Sequence, residues 1–366
     1  MIVTILIAFF SIIALLVIHE FGHFIVAKKF GIKVEEFGVG LPPRLFGKKI
    51  GETIYSLNLL PFGAFVKIPS VEGDGGSDQE DCRKLENVPV WQRAVILLAG
   101  VVSFWIIGII LLTIVFSLGA SQAISDEETG PFSVPPQVQI AAVSPGSPAE
   151  IAGIKPGDVI RELRTGDFQL LISTVKGVQE FTDAHQGEEI VLLVDRGKDS
   201  LQTLLVPRTD PPEGEGSMGV ILIRTTEKSY PFFQAFIKGV VTAANLTLAI
   251  IVGLAEVVAS LVRGQGLPQG VQFMGPIGMG ALVAQAVQVG LSYYLQFIAI
   301  ISIYLAIFNI LPIPALDGGR LLFLVIEKIK GCPVNQKVEQ SITAGFFILF
   351  IVLMILVTVK DVIRLF

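Results

Sequence analysis

Charge is scarce in this chain. Of 366 residues only 16% are Asp, Glu, Lys or Arg while 52% are hydrophobic, and the mean hydropathy is +0.71. That balance excludes an ordinary soluble protein, because several apolar runs approach the roughly 20 residues that cross a bilayer. The net charge of -5, with no basic patch and no interleaving of aromatic with basic residues, excludes a nucleic-acid partner. Cysteine is nearly absent. Cys82 and Cys332 are far apart and form no C-x-x-C pair, which excludes a disulfide framework and a thiolate metal site, so both read as free thiols. Histidine is rarer than usual too: there are three, and two of them fall within five residues.

Those two belong to Leu16-Val17-Ile18-His19-Glu20-Phe21-Gly22-His23, an H-E-x-x-H pattern at the end of an apolar run that begins at Met1 with nothing charged before His19. On a helix the imidazoles of His19 and His23 share one face a turn apart, which suits a tetrahedral zinc ion. Glu20 is then placed to act as general base on a water. The pattern alone is weak. Its setting strengthens it, because ionisable groups inside an apolar segment are costly and mark function. The competing reading is two satisfied histidines at a membrane interface.

The chain reads as an α-helical polytopic membrane protein with four transmembrane helices, a membrane-associated β element and one inserted extracytoplasmic PDZ-like (α+β) domain. Residues 1–29 form the first span. It is not a signal peptide, lacking a basic n-region and a small-residue cleavage site. Residues 30–92 form a loop rich in Lys and Arg, which the positive-inside rule places in the cytoplasm, leaving the N-terminus outside. Within it, runs at 34–41, 52–59 and 63–68 look like strands. They either offer an open edge to an extended substrate or merely cap the helices. Residues 70–87 read as a flexible acidic loop. Residues 93–119 form the second span, 120–137 a linker, and 138–210 a soluble domain of short strands. Its opening, Val143-Ser144-Pro145-Gly146-Ser147-Pro148-Ala149-Glu150 through Gly157-Asp158-Val159-Ile160, resembles the PDZ signature of bacterial membrane proteases. Such a domain binds a peptide by strand addition or acts as a size filter. His185 within it reads as a solvated loop residue.

Residues 211–290 read as linker and surface or amphipathic helices, 291–319 as the third span, 320–341 as a basic inner loop and 342–366 as the fourth span. Parity supports that count. If the basic loops that follow the first and third spans both lie inside, those two spans run inward and the chain between the second and third spans crosses the membrane zero times or an even number of times, so 232–262, with Lys238, Asn245 and Glu256, does not span alone.

The third span ends in Asn309-Ile310-Leu311-Pro312-Ile313-Pro314-Ala315-Leu316-Asp317-Gly318. H-E-x-x-H in the first span, N-x-x-P-x-P-x-L-D-G in a later one and a PDZ-like domain between them resemble the site-2 protease family of intramembrane zinc metalloproteases, in particular its bacterial regulator of sigma-E protease branch. The resemblance implies Zn2+ held by His19, His23 and Asp317, with Glu20 activating water. It implies that Asn309, Pro312 and Pro314 shape the helix break presenting Asp317. It also implies that the segment around Gly38 and Gly40, with the strand of Tyr55 and Leu57, is a β element that engages substrate. Two departures stand out. The order Val101-Val102-Ser103-Phe104-Trp105 lacks the Asn that the family often carries in the second span, and Arg320 stands where many relatives have His.

The function expected on this basis is zinc-dependent cleavage of single-span membrane proteins within or near the spanning segment, after another protease has trimmed the outer domain. The alternatives are clearance of remnant signal peptides, or a non-proteolytic scaffold recruiting a peptide ligand through the PDZ-like domain. Location follows: the bacterial plasma (inner) membrane, multi-pass in the lipid bilayer, with the active site toward the cytoplasmic side.

Overall fold

The computed structural model describes residues 2–68, 88–129, 134–166, 168–197, 199–212, 214–266, 268, 274–332 and 334–365. The expected acidic loop at 70–87, with Cys82, lies outside them. The described chain divides into two compact units, one of 1–111, 240–284 and 297–366 and the other of 112–239 and 285–296.

The first unit begins with α1 (Ile2–Lys29). Its apolar run contains no proline, Lys28 and Lys29 in its last turn complement the helix dipole, and Gly31 at φ +74° ends it. β1 (Glu36–Ile50) and β2 (Thr53–Lys67) follow, joined at Gly51, whose φ of +61° suits the first position of a two-residue hairpin turn. The pairing makes four runs of the two strands. Glu36 to Val39 pair with Ile54 to Leu57 on one side and with Lys67 to Ala64 on the other, while 46–50 pair back on 53–57. One end of this element packs on α1 through a core that includes Phe24, Ala27, Val34 and Phe37. The other end is apolar yet uncovered: Leu45, Phe46, Ile50 and Leu59 are all more than half exposed. A hairpin end whose apolar side chains are left uncovered among the described residues suits a lipid surface.

α2 (Val90–Leu118) leads into the second unit. Its sheet takes β3 (Ala120–Ile124), β4 (Gln137–Val143), β5 (Val159–Thr165), β6 (Phe168–Leu171), β7 (Ile190–Arg196), β8 (Asp199–Leu205) and β9 (Val220–Lys228), with the short α3 (Pro148–Ile151) and α4 (Val175–Ala184). The order is β3-β9-β4-β5-β7-β8, with β6 beside β5. The sheet reaches beyond 138–210: β3 comes from the stretch read as a linker and β9 from beyond residue 210, and β9 lies inside the sheet. Its partners lie roughly 80 to 110 residues earlier in sequence, so no local signal ties it to them. Val138, Ile140, Leu163, Val178, Phe181, Ile190 and Leu192 form the core, each worth about 1.5 to 3 kcal/mol on burial. The Ser147-Pro148-Ala149-Glu150 run works as a cap, Ser147 accepting from the Glu150 amide and Glu150 from that of Gly146. Asp158 is 1% exposed and takes a bidentate pair from Arg196 at 2.7 Å each. His185 is half-buried rather than solvated. It ends α4, its Nδ1 lies 2.8 Å from the Phe181 carbonyl, and its ring packs on Phe181.

α5 (Phe232–Val262), α6 (Pro276–Val289), α7 (Leu291–Ile310), α8 (Asp317–Lys330) and α9 (Gln336–Leu365) complete the chain. Among the described residues five helices are long and apolar enough to cross a membrane: α1, α2, α5, α7 and α9. That is one more than the four expected. The addition is α5, whose Lys238, Asn245 and Glu256 suggested a surface helix, yet it runs unbroken for 31 residues, about 46 Å.

Candidate metal centre

The site is built where α1, α2 and the start of α8 meet. His19 and His23 are 7% and 6% exposed. Their Nε2 atoms lie 3.3 Å apart, and Asp317 Oδ2 lies 3.1 Å from the first and 3.2 Å from the second. Ligand atoms on one face of a tetrahedral zinc site, with bonds of about 2.0 to 2.1 Å, are separated by about 3.3 Å, so the triangle matches in size. Its chemistry matches as well. Asp317 Oδ2 is buried with no hydrogen-bond donor aligned to it, an arrangement that costs free energy unless a cation is shared. The site thus fits zinc. Glu20 completes the cluster, with a ligand atom within 4.8 Å of those of both histidines.

Local structure explains how these atoms converge. His23 Nδ1 lies 2.8 Å from the Ile96 carbonyl of α2, a bond that leaves Nε2 for the metal. α1 and α2 approach closely because glycine stands at the crossing: a Cβ on Gly22 would lie 2.6 Å from the Ala99 carbonyl oxygen, and one on Gly100 would lie 2.2 Å from His23 Nε2. Asp317 owes its place to a chain break. α7 stops at Ile310 because Pro312 and Pro314 lack the amides that a continuing helix needs, and α8 restarts at Asp317. Gly318 and Gly319 let that restart lie directly on the preceding turn, since a Cβ on either would come within 2.1 to 2.3 Å of the Leu311 or Ile313 carbonyl oxygen. At its far end α8 is held by the ion pair of Glu327 with Arg93 of α2.

The other residues singled out from the sequence stand outside the ligand triangle. Asn309 donates to the Leu305 carbonyl of its own helix at 2.9 Å. Gly38 and Gly40 are packing positions inside the β element: a Cβ on Gly38 would meet the Phe65 ring at 2.4 Å, and Gly40 has φ +82° with the Leu60 carbonyl oxygen beside it. Tyr55 stacks edge-on to Phe24, the residue after His23, whereas Leu57 is half exposed. In the same element Glu36 accepts from Ser56 at 2.5 Å and from Arg44 at 3.1 and 2.5 Å. Burial pushes the Glu36 carboxyl up, but the Ser56 hydroxyl and the Arg44 guanidinium outweigh it and hold it below its ordinary range.

Sequence reasoning missed Ile96, Gly22, Gly100, Phe104 and the Arg93–Glu327 pair. Small residues within two apolar helices are a signal of close crossing, and Gly22 with Ala99-Gly100 carried it.

Comparison with known proteins agrees with this geometry. The family model described as Peptidase family M50 matches residues 7–353. A candidate zinc metalloprotease of Clostridium perfringens is 31% identical over 365 residues, covering 98% of each chain. Zinc metalloprotease RasP of Shouchella clausii is 27% identical and covers 99% of each. Regulator of sigma-W protease RasP of Bacillus subtilis is 26% identical and covers the whole of both.

Proposed function

The chain belongs to peptidase family M50, a zinc metalloprotease of the site-2 type, and from that premise we propose that it cuts single-span membrane proteins within or near their spanning segment. One observation carries the reading: His19 Nε2, His23 Nε2 and Asp317 Oδ2 meet in a buried triangle beside Glu20, with both histidines and Glu20 on α1, a helix long and apolar enough to cross a bilayer, and Asp317 at the start of α8 just past the end of α7.

When bound, zinc supplies a Lewis acid for the scissile carbonyl and the attacking water. Glu20 takes the proton from that water and returns it to the leaving nitrogen. Ile96 fixes the His23 ring through Nδ1. Depth sets access. About 17 apolar residues precede His19 and cross most of a hydrocarbon core of about 30 Å, which puts the centre near the cytoplasmic side. A substrate helix hides its carbonyls in internal hydrogen bonds, so it must unwind before cleavage, and the strand edges of β1 and β2, packed beside α1, would hold it extended. Asn309, Pro312 and Pro314 shape the break that presents Asp317, while Gly38, Gly40, Tyr55 and Leu57 build the substrate-facing β element.

The PDZ-like domain of 120–228 lies outside the cell and screens out substrates whose outer portion has not been trimmed. The name of the relative, regulator of sigma-W protease, supports a regulatory substrate, and a trimmed anti-sigma factor is the candidate we propose. Four spans serve this topology, with α5 at the outer surface or packed against the bundle without crossing alone, the latter favoured by Trp105 of α2 donating to Thr247 of α5 at 3.1 Å; a reporter fused near residue 265 that reads cytoplasmic would overturn it. The activity is tested by comparing membrane peptides in cells carrying the parent or Glu20→Gln. Uncut single-span proteins should accumulate with Glu20→Gln. Accumulation of signal peptides alone would favour a clearance role, and no difference would remove Glu20 from the chemistry.

A further inference from the structure

Metal-binding histidines ordinarily donate their second ring N–H to a carbonyl or carboxylate, which sets tautomer and ring plane. His23 has that bond. His19 does not: its Nδ1 is buried and has no hydrogen-bond partner. For Nε2 of His19 to bind a cation the proton must sit on Nδ1, where nothing accepts it. No polar contact on the Nδ1 side therefore holds the ring in its orientation.

What lies against it is an aromatic face. The Phe104 ring stacks on His19 with centroids 4.6 Å apart and 13° between planes, and the His23 ring meets His19 edge-on at 4.7 Å and 80°. Phe104 is fully buried, and Ser302 of α7 donates to its carbonyl at 2.7 Å, holding that turn of α2 in place.

We infer that Phe104 is a positioning residue for the metal centre: its flat face takes the place of the missing hydrogen bond and holds the His19 ring with Nε2 on the ligand triangle. A rotation of the imidazole about its Cβ–Cγ bond would drive the ring edge into Phe104 while moving Nε2 away from Asp317 Oδ2. The stack blocks that rotation through shape, without adding charge or a hydrogen-bond acceptor. What position 104 must supply is thus a planar ring, whatever its polarity elsewhere. The inference rests on zinc binding at His19, His23 and Asp317.

The test uses the purified full chain in detergent, reading zinc affinity by chelator competition and ligand geometry from the visible absorption of the cobalt-substituted protein. Phe104→Leu, which keeps apolar bulk but loses the plane, should weaken zinc by about 10- to 100-fold and change the cobalt spectrum. Phe104→Tyr should keep parent affinity and spectrum. Phe116→Leu, a matched change about 18 Å further along α2, should leave both unaltered. The inference is overturned if Phe104→Leu holds zinc within about twofold of the parent, or if Phe104→Tyr or Phe116→Leu loses as much as Phe104→Leu. A parent that binds no zinc at His19 and His23 would overturn the proposed activity itself, a result distinct from equal zinc binding by parent and Phe104→Leu.

Discussion

His23 Nδ1 reaches the carbonyl oxygen of Ile96, 73 residues further along the chain, at 2.8 Å. This contact joins the helix that carries two of the proposed metal ligands to a helix that carries none of them, and it converts a sequence pattern into a fixed ring orientation. The same crossing puts Gly100 so close to His23 that any side chain there must displace the ligand.

Gly100→Ala is therefore expected to spare the fold and damage the centre. Its Cβ would lie 2.2 Å from His23 Nε2, and the ring is the part able to move. Zinc affinity should fall by about 10-fold or more with helical circular dichroism unchanged. Parent-like zinc binding would contradict the close approach.

The Arg93–Glu327 pair joins residues 234 positions apart, with side chains 14% and 17% exposed. Removing one partner leaves a largely buried charge, so Arg93→Ala should lower stability by about 3 kcal/mol. The swapped pair Arg93→Glu with Glu327→Arg should recover much of the loss. Thermal unfolding in detergent measures this, and a neutral Arg93→Ala would show that the pair does not hold α8.

Zinc should stabilise the protein. Three buried ligand atoms 3.1 to 3.3 Å apart exist only in the folded state, so free zinc at a thousandfold excess over Kd should add about 4 kcal/mol. Chelation should lower the melting temperature of the parent. Asp317→Ala should show a much smaller zinc-dependent shift, and an equal shift would place the binding elsewhere.

The β element should loosen in acid. The Glu36 carboxyl is held below its ordinary 4.5 by Ser56 and Arg44 against the opposing effect of burial. A depressed carboxylate contributes stability that is full above the unfolded value and is lost as pH falls through the folded one. The protection of the Phe37 to Val39 amides against hydrogen exchange, taken relative to the unstructured chain at the same pH, should thus be constant from pH 7 to about 5 and fall below about 4.5. Glu36→Gln should exchange faster already at pH 7 and lose most of the acid dependence; a parent-like profile for Glu36→Gln would place the acid sensitivity in another group.

The sequence by itself determined four of the five helices long and apolar enough to cross a membrane, the His19-Glu20-His23 face and the prolines at the helix break before Asp317. Each follows from local chemistry: apolar length, a 3.6-residue period, and prolines without an amide proton. It did not determine that β9 enters a sheet with strands roughly 80 to 110 residues earlier, because strand pairing over such a separation leaves no local trace. Nor did it count α5 among the helices long and apolar enough to cross a membrane, since three polar residues argued for a surface or packed helix while the structure forms one unbroken apolar helix of 31 residues. Only the tertiary structure brought Asp317 within 3.2 Å of both histidines, put the Ile96 carbonyl behind one ring and the Phe104 face behind the other. Those contacts depend on two helices approaching at Gly22 and Gly100 and on a third restarting over Gly318 and Gly319. Backbone proximity of that kind is a property of packed elements, not of any segment read alone.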